Sequence, residues 1–132
     1  MNLAHGIYKK ENKVFTIKRN DKPLKGIYSL PGGKIQNESS KKALERELKE
    51  ELGLKISLDE KDFIEQIDYR TKNLNFSVSY FKINFDENKI KPNKKEISEI
   101  KWMNTKEFCE NLIKAGLNKK GVNKLSVLLN ET

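Results

Sequence analysis

From Glu38 to Gly53 the chain reads ESSKKALERELKEELG, and this segment constrains the fold more than any other. Leu44, Leu48 and Leu52 recur every four residues, the spacing that lines up one apolar stripe on an α-helix. Gly53 follows the last leucine, where a helix ends by reversing its backbone. The spacing predicts a helix over 38–52. With a turn of about 100° per residue, Glu50, Glu47 and Glu51 stand at about −60°, about 0° and about +40°, and the leucine stripe centres near +100°. The helix is therefore expected to bury one stripe and to present three carboxylates on the adjacent face. Like charges so placed repel. Arg46 and Lys49 offset part of that repulsion, and a divalent cation with a preference for oxygen would offset more. Taken alone, the same pattern also suits a solvated helix laced with Glu45–Lys49 and Arg46–Glu50 pairs.

The rest of the composition narrows the chemistry. With 132 residues, 36% of them hydrophobic, the chain suits one domain over 1–132 and not two. No run approaches the ~18 apolar residues of a membrane span. The N-terminus lacks the charged-then-apolar pattern of a secretion signal, so a cytoplasmic protein is expected. A single cysteine and a single histidine exclude a disulfide framework and any Cys-based or multi-His metal site. A metal here must be hard and held by oxygen. The net charge is +8, with 24 Lys and three Arg among 27 basic residues. Such a field favours anionic partners. The lysines lie in scattered pairs (Lys9-Lys10, Lys41-Lys42, Lys94-Lys95, Lys119-Lys120), which favours a solvated surface over a dedicated nucleic-acid patch.

Along the chain, residues 3–9 and 13–19 read as a hairpin turned at Lys10-Glu11-Asn12. Residues 20–29 read as a loop, with Pro23 and Gly26. Strands are expected over 61–69 and 74–85. In the second, Leu74, Phe76, Val78 and Tyr80 share one parity and Phe81, Ile83 and Phe85 the other. A bulge near Tyr80-Phe81, or burial on both faces, would explain the change. A polar loop over 86–95, a strand over 97–103 and helices over 105–115 and 120–130 complete the order. It fits a mixed sheet with helices on both faces. Trp102 is expected in the core, and His5 and Cys109 are expected to be structural.

Residues 32–54 resemble the signature of the Nudix hydrolases, G-x5-E-x7-R-E-U-x-E-E-x-G-U with U aliphatic. Gly32, Glu38, Arg46, Glu47, Leu48, Glu50, Glu51, Gly53 and Leu54 fill every specified position. The short chain with Gly6, Arg19 and Leu30-Pro31-Gly32-Gly33 is most similar to the MutT-like members. The resemblance implies an α/β (α+β) fold, a Nudix-like α/β/α sandwich with a mixed β-sheet between helices. The loop between Gly33 and Glu38 is one residue shorter than is common in the family. The spacing from Glu38 to Arg46 is intact, so the helix register holds.

The resemblance also implies roles. Glu47, Glu50 and Glu51 would bind Mg²⁺, with Mn²⁺ the alternative, together with a carbonyl of Gly32 or Gly33. A further acidic ligand is expected from outside the signature, and Glu96 is chosen over Glu99. If 96–102 is extended, Glu96 shares a face with Ile100 and Trp102, while Glu99 points away with Lys101. Arg46 would orient Glu47, and Glu47 is the first choice of general base, with Arg46 and Glu50 completing the catalytic set. Gly33, Lys34, Arg19, Glu38, Tyr69 and Tyr80 are the expected substrate contacts. The implied reaction is hydrolysis of a nucleoside diphosphate linked to another group. A nucleoside triphosphate cleaved to monophosphate and pyrophosphate is favoured, and a dinucleoside polyphosphate or an RNA 5′ end is the alternative. A non-catalytic nucleotide-binding module is disfavoured by the intact glutamates. No membrane partner is expected, and the chain would act as a monomer or homodimer.

Overall fold

The computed structural model of the protein describes residues 1–20 and 25–132. Asp21 to Leu24, part of the loop expected over 20–29, lie outside the described residues.

Among the described residues, two four-stranded sheets form the centre. In the first, β5 (Gly32–Lys34), β1 (Asn2–Ile7), β7 (Asn75–Lys82) and β6 (Phe63–Arg70) lie in that order, with β1 and β7 parallel and the outer pairs antiparallel. In the second, β3 (Lys13–Arg19) pairs antiparallel with β2 (Lys9–Lys10), β4 (Tyr28–Ser29) and β8 (Ile97–Asn104). The expected hairpin over 3–19 is therefore only partly formed. Two residue pairs join β2 to β3, whereas β1 leaves at Tyr8 for the other sheet. The reason lies in β1 itself: Ala4 and Ile7 are both buried, on opposite sides, which requires a central strand.

Helices cover both faces. The helix α1 (Ser40–Leu52) packs its leucines with Ala4, Phe15, Ile17 and Phe81. On the other side α2 (Thr105–Lys114) and α3 (Lys119–Glu131) pack with Ile7, Val14, Val78, Tyr80 and Met103. This is the expected α/β/α arrangement. Leu44, Leu48 and Leu52 are fully buried, and each such side chain contributes about 2 kcal/mol by leaving water. The parity change in β7 has both of its expected causes. Val78 and Tyr80 face α2 and α3 while Phe81 faces α1, and the β6 register shifts between Phe63 and Glu65 opposite Tyr80-Phe81.

The ends of α1 carry the residues that hold it in place. Ser39 caps the N-terminus by accepting from the Lys42 N–H at 3.2 Å. At the C-terminus Gly53 adopts a left-handed φ of 67°, and the Leu54 N–H returns to the Leu48 carbonyl at 3.2 Å. Segment 91–93 then satisfies the last carbonyls, as Lys91 and Asn93 donate to Leu52 and Glu51 at 2.8 and 2.9 Å. The chain leading into β8 is thereby fastened to the end of α1 that carries the glutamates.

Gly121 sets the seat of α3. A Cβ there would stand 2.7 Å from the Tyr69 ring and 3.0 Å from the Asp68 carbonyl. Alanine for glycine inside a helix ordinarily stabilises by about 1 kcal/mol. Here Gly121→Ala is expected to lower the thermal midpoint, because α3 must retreat from β6. A midpoint equal to or above the parent's, measured by calorimetry, would refute this.

Candidate active site

Two arginines organise the carboxylates of α1. Arg46 projects back toward the loop before the helix. It donates to the Glu38 carboxylate at 2.7 Å, to the Lys34 carbonyl at 2.9 Å and to Glu47 Oε1 at 2.9 Å, with Glu50 at 3.4 Å. Its bonds to Glu38 hold that carboxyl below the usual carboxylate range and push its own pKa up. Arg19, at the end of β3, donates to Glu51 Oε2, to the Gly32 carbonyl at 2.8 Å and to Ser29 Oγ at 3.2 Å. The other oxygen of Glu51 accepts the Gly32 N–H at 3.0 Å.

Burial grades the three glutamates. The side chain of Glu50 is 49% exposed and that of Glu47 14%, while Glu51 is 1% exposed. The expectation of three carboxylates on an exposed face is corrected at Glu51. It lies nearest the leucine stripe, and Arg19 with the Gly32 amide replaces the water it loses. Burial still raises its pKa to about 7. Burial raises Glu47 as well, against the opposing pull of Arg46.

The glycines allow this proximity for different reasons. Gly32 has φ 141°, a conformation that side chains rarely adopt. Gly33 lies under Glu47, where a Cβ would stand 2.6 to 2.9 Å from the carboxylate. The shortened loop is turned by Asn37 at φ 48°, and asparagine is among the few residues that tolerate that region. Asn37 and Ser29 were not singled out from the sequence. An Asn immediately before the signature glutamate in a loop one residue short was the available signal for the first, and Ser29 offered none.

Several expected contacts are placed differently. Tyr69 and Tyr80 are buried in the core beneath α2 and α3, with their hydroxyls 2.5 Å apart. They are corrected from substrate contacts to packing residues, because their inward parity on β6 and β7 carries them under the helices. Glu38 is committed to Arg46 and Arg19 to Glu51, so neither is open to substrate in this state. Lys34 lends its carbonyl to Arg46 while its side chain is exposed. Glu45 pairs with Lys42 and accepts the Leu58 N–H, instead of meeting Lys49. Trp102 is partly exposed and donates to Glu87 at 2.7 Å.

The parity argument for Glu96 is also corrected. Glu96 lies in a turn before β8, and Arg19 pairs with Ile97 while Lys18 pairs with Glu99, so Ser98 is an extra residue. Ile97 consequently packs on the same core as Ile100 and Trp102. The two glutamates differ for another reason. Glu99 accepts the Tyr28 hydroxyl at 2.8 Å, whereas Glu96 Oε2 is buried with no hydrogen-bond partner among the described residues. An orphaned buried carboxylate oxygen is costly unless a cation meets it.

The donor set fits a hard cation. Glu47, Glu51, the glycine carbonyls and the orphaned Glu96 oxygen are all oxygen donors, and Gly33 lets α1 bring a carboxylate against β5. Among the described residues no three acidic side chains already form a cation-ready cluster. The two arginines instead hold Glu47 and Glu51 in separate ion pairs.

His5 lies across β1 from Gly32 and edge-on to Tyr80, with ring centroids 6.2 Å apart. Burial, and then the charge of Arg19, lower its pKa from 6.5 to about 3. Between those values the unfolded chain binds a proton that the folded chain refuses, so stability falls as pH falls. His5→Gln is expected to flatten this limb, by up to about 1.4 kcal/mol per pH unit between pH 6 and 4. Parallel curves for the two proteins in denaturant titrations would refute the assignment.

A strand of two glycines beneath a helix of arginine-clamped glutamates, within an α/β/α frame, defines a recognisable class. A family model described as the NUDIX domain matches residues 3–124, and the chain belongs to that family. An ADP-ribose pyrophosphatase of Methanocaldococcus jannaschii is 48% identical over 50 residues, which are 37% of this chain and 30% of that protein. An 8-oxo-dGTP diphosphatase of Buchnera aphidicola is 44% identical over 57 residues, 42% of this chain and 44% of that protein. The matches thus span less than half the length of these curated relatives. Among solved structures, a MutT NUDIX hydrolase from Burkholderia pseudomallei shares the fold with a TM-score of 0.64 at 21% identity, over 80% of this chain and 83% of that one.

Proposed function

We propose that the chain is a Mg²⁺-dependent pyrophosphohydrolase acting on nucleoside diphosphate derivatives, and that nucleoside triphosphates, cleaved to monophosphate and pyrophosphate, are its preferred substrates. The observation that carries this reading is the seating of Glu47 and Glu51 against Gly32-Gly33. Glu47, Glu50, Glu51, Glu96 and the Gly32 carbonyl would hold Mg²⁺, or Mn²⁺ in its place. The cation, when bound, supplies positive charge to the phosphoryl oxygens and lowers the pKa of water.

The chain's own residues do the rest. Arg46 fixes Glu47 by one oxygen at 2.9 Å, which leaves Oε2 to take a proton from the attacking water. Arg46 also ties the Lys34 carbonyl and Glu38 to the helix, so the loop that meets the diphosphate moves with the glutamates. The match to an 8-oxo-dGTP diphosphatase supports the triphosphate reading. ADP-ribose is the second reading, favoured by the match to an ADP-ribose pyrophosphatase. The test is a panel of nucleoside triphosphates, 8-oxo-dGTP, ADP-ribose and dinucleoside polyphosphates, with and without Mg²⁺ and with products identified. Pyrophosphate release from triphosphates is expected. Faster cleavage of ADP-ribose selects the second reading, and Mg²⁺-independent or absent turnover refutes both.

A separate expectation concerns Glu96. At limiting Mg²⁺, Glu96→Gln is expected to lower turnover about tenfold or more, and Glu99→Gln, which keeps an oxygen to accept the Tyr28 hydroxyl, to change it less than twofold. The reverse order, from Mg²⁺ titrations of kcat, would remove Glu96 from the ligand set.

A further inference from the structure

We propose that Arg19 is a counter-cation latch: in the metal-free protein its guanidinium holds the Glu51 carboxylate and the Gly32 carbonyl, and a divalent cation must displace it to enter the site. The inference rests on the metal site proposed above. Arg19 joins three elements, since it ends β3, bonds Glu51 in the last turn of α1 and bonds the first residue of β5. Glu51 is 1% exposed, and a carboxylate so buried requires a counter-charge. Both of its oxygens are occupied, one by Arg19 and the other by the Gly32 amide.

The two arginines differ in what they block. Arg46 touches only Oε1 of Glu47, so it can stay in place while Oε2 of that carboxylate serves another partner. Arg19 holds two of the proposed donors at once. Mg²⁺ requires short oxygen contacts in nearly octahedral geometry. A guanidinium bonded to the same carboxylate and carbonyl competes for those lone pairs and repels the ion. The absence of a three-carboxylate cluster among the described residues agrees with a site held open by its own cations. Arg19 therefore stabilises the metal-free fold and weakens metal binding by the same contacts.

The test compares the parent, Arg19→Lys and Arg19→Gln, with Mn²⁺ affinity read by electron paramagnetic resonance and unfolding followed in chelator. Arg19→Gln is expected to bind Mn²⁺ about tenfold more tightly and to unfold at a lower temperature without metal. In the parent, a Mg²⁺ titration followed by NMR should move one of the three arginine Nε–H signals, the one missing from Arg19→Lys. Equal or weaker Mn²⁺ affinity in Arg19→Gln, or an Arg19 signal unmoved at saturating Mg²⁺, overturns the latch while leaving the metal site standing. If Arg19→Gln does not fold, the parent titration decides alone. Failure of the parent to bind either ion overturns the metal site and the latch together.

Discussion

Glu47→Gln is expected to lower kcat by about 10²- to 10⁴-fold, the range for loss of a general base, while the metal-free fold holds or gains stability. The two effects have one cause. Glu47 is mostly withdrawn from water, and burial raises its pKa, so its charge is held at a cost in the folded chain. Glutamine keeps the shape and can still accept from Arg46 through its carbonyl oxygen. It has no carboxylate oxygen to take a proton or to meet a cation. Glu50→Gln should differ, because Glu50 is half exposed and meets Arg46 only at 3.4 Å. Its loss is expected to raise the Mg²⁺ concentration needed for activity more than it lowers the rate at saturation. Steady-state kinetics across Mg²⁺ concentrations and thermal unfolding in chelator separate these outcomes. Near-parental kcat for Glu47→Gln at saturating Mg²⁺ would remove it as the base.

The helix that carries the glutamates was legible from the sequence because its signals are local. Leu44, Leu48 and Leu52 mark the buried stripe and Gly53 the end, and each does what its chemistry predicts, although the helix starts at Ser40, two residues later than expected, behind the Ser39 cap. What failed depended on partners distant in the chain. Nothing near Glu51 announces Arg19, which lies 32 residues earlier, so a carboxylate that is buried was expected in solvent. Tyr69 and Tyr80 were assigned to substrate by type and position. Their inward parity places them under α2 and α3, which only the packing of distant helices reveals. In β8 the expected alternation failed through one extra residue, Ser98, which puts Ile97 on the side of Ile100, because a single bulge reverses every parity beyond it. The hairpin expected over 3–19 formed only where β2 meets β3. Alternation marks β1 as a strand, but only its burial on both sides sends it to the other sheet.

Adjacent alanine substitutions at the two glycines should fail in opposite ways. At Gly32 a Cβ would lie 2.0 Å from the Ala4 carbonyl and 2.8 Å from the His5 Cα, on a backbone with φ 141°. Neither obstacle can rotate aside, since both belong to the main chain of β1. Gly32→Ala is expected to cost about 3 kcal/mol or more and to part β5 from β1. At Gly33 the obstacle is the end of a side chain, the Glu47 carboxylate at 2.6 to 2.9 Å. That carboxylate can swing away, so Gly33→Ala should leave the thermal midpoint within a few degrees of the parent's. The displaced oxygens then miss the position that Arg46 fixes, and a shift of about 1 Å at a reacting group can cost about 10²-fold in rate. Gly33→Ala is thus expected to be folded and nearly inactive, and Gly32→Ala to be unstable whatever its residual activity. Calorimetry and kcat on both variants provide the test. A Gly33→Ala enzyme with parental turnover would show that Glu47 needs no place against β5, and would end its assignment as the base.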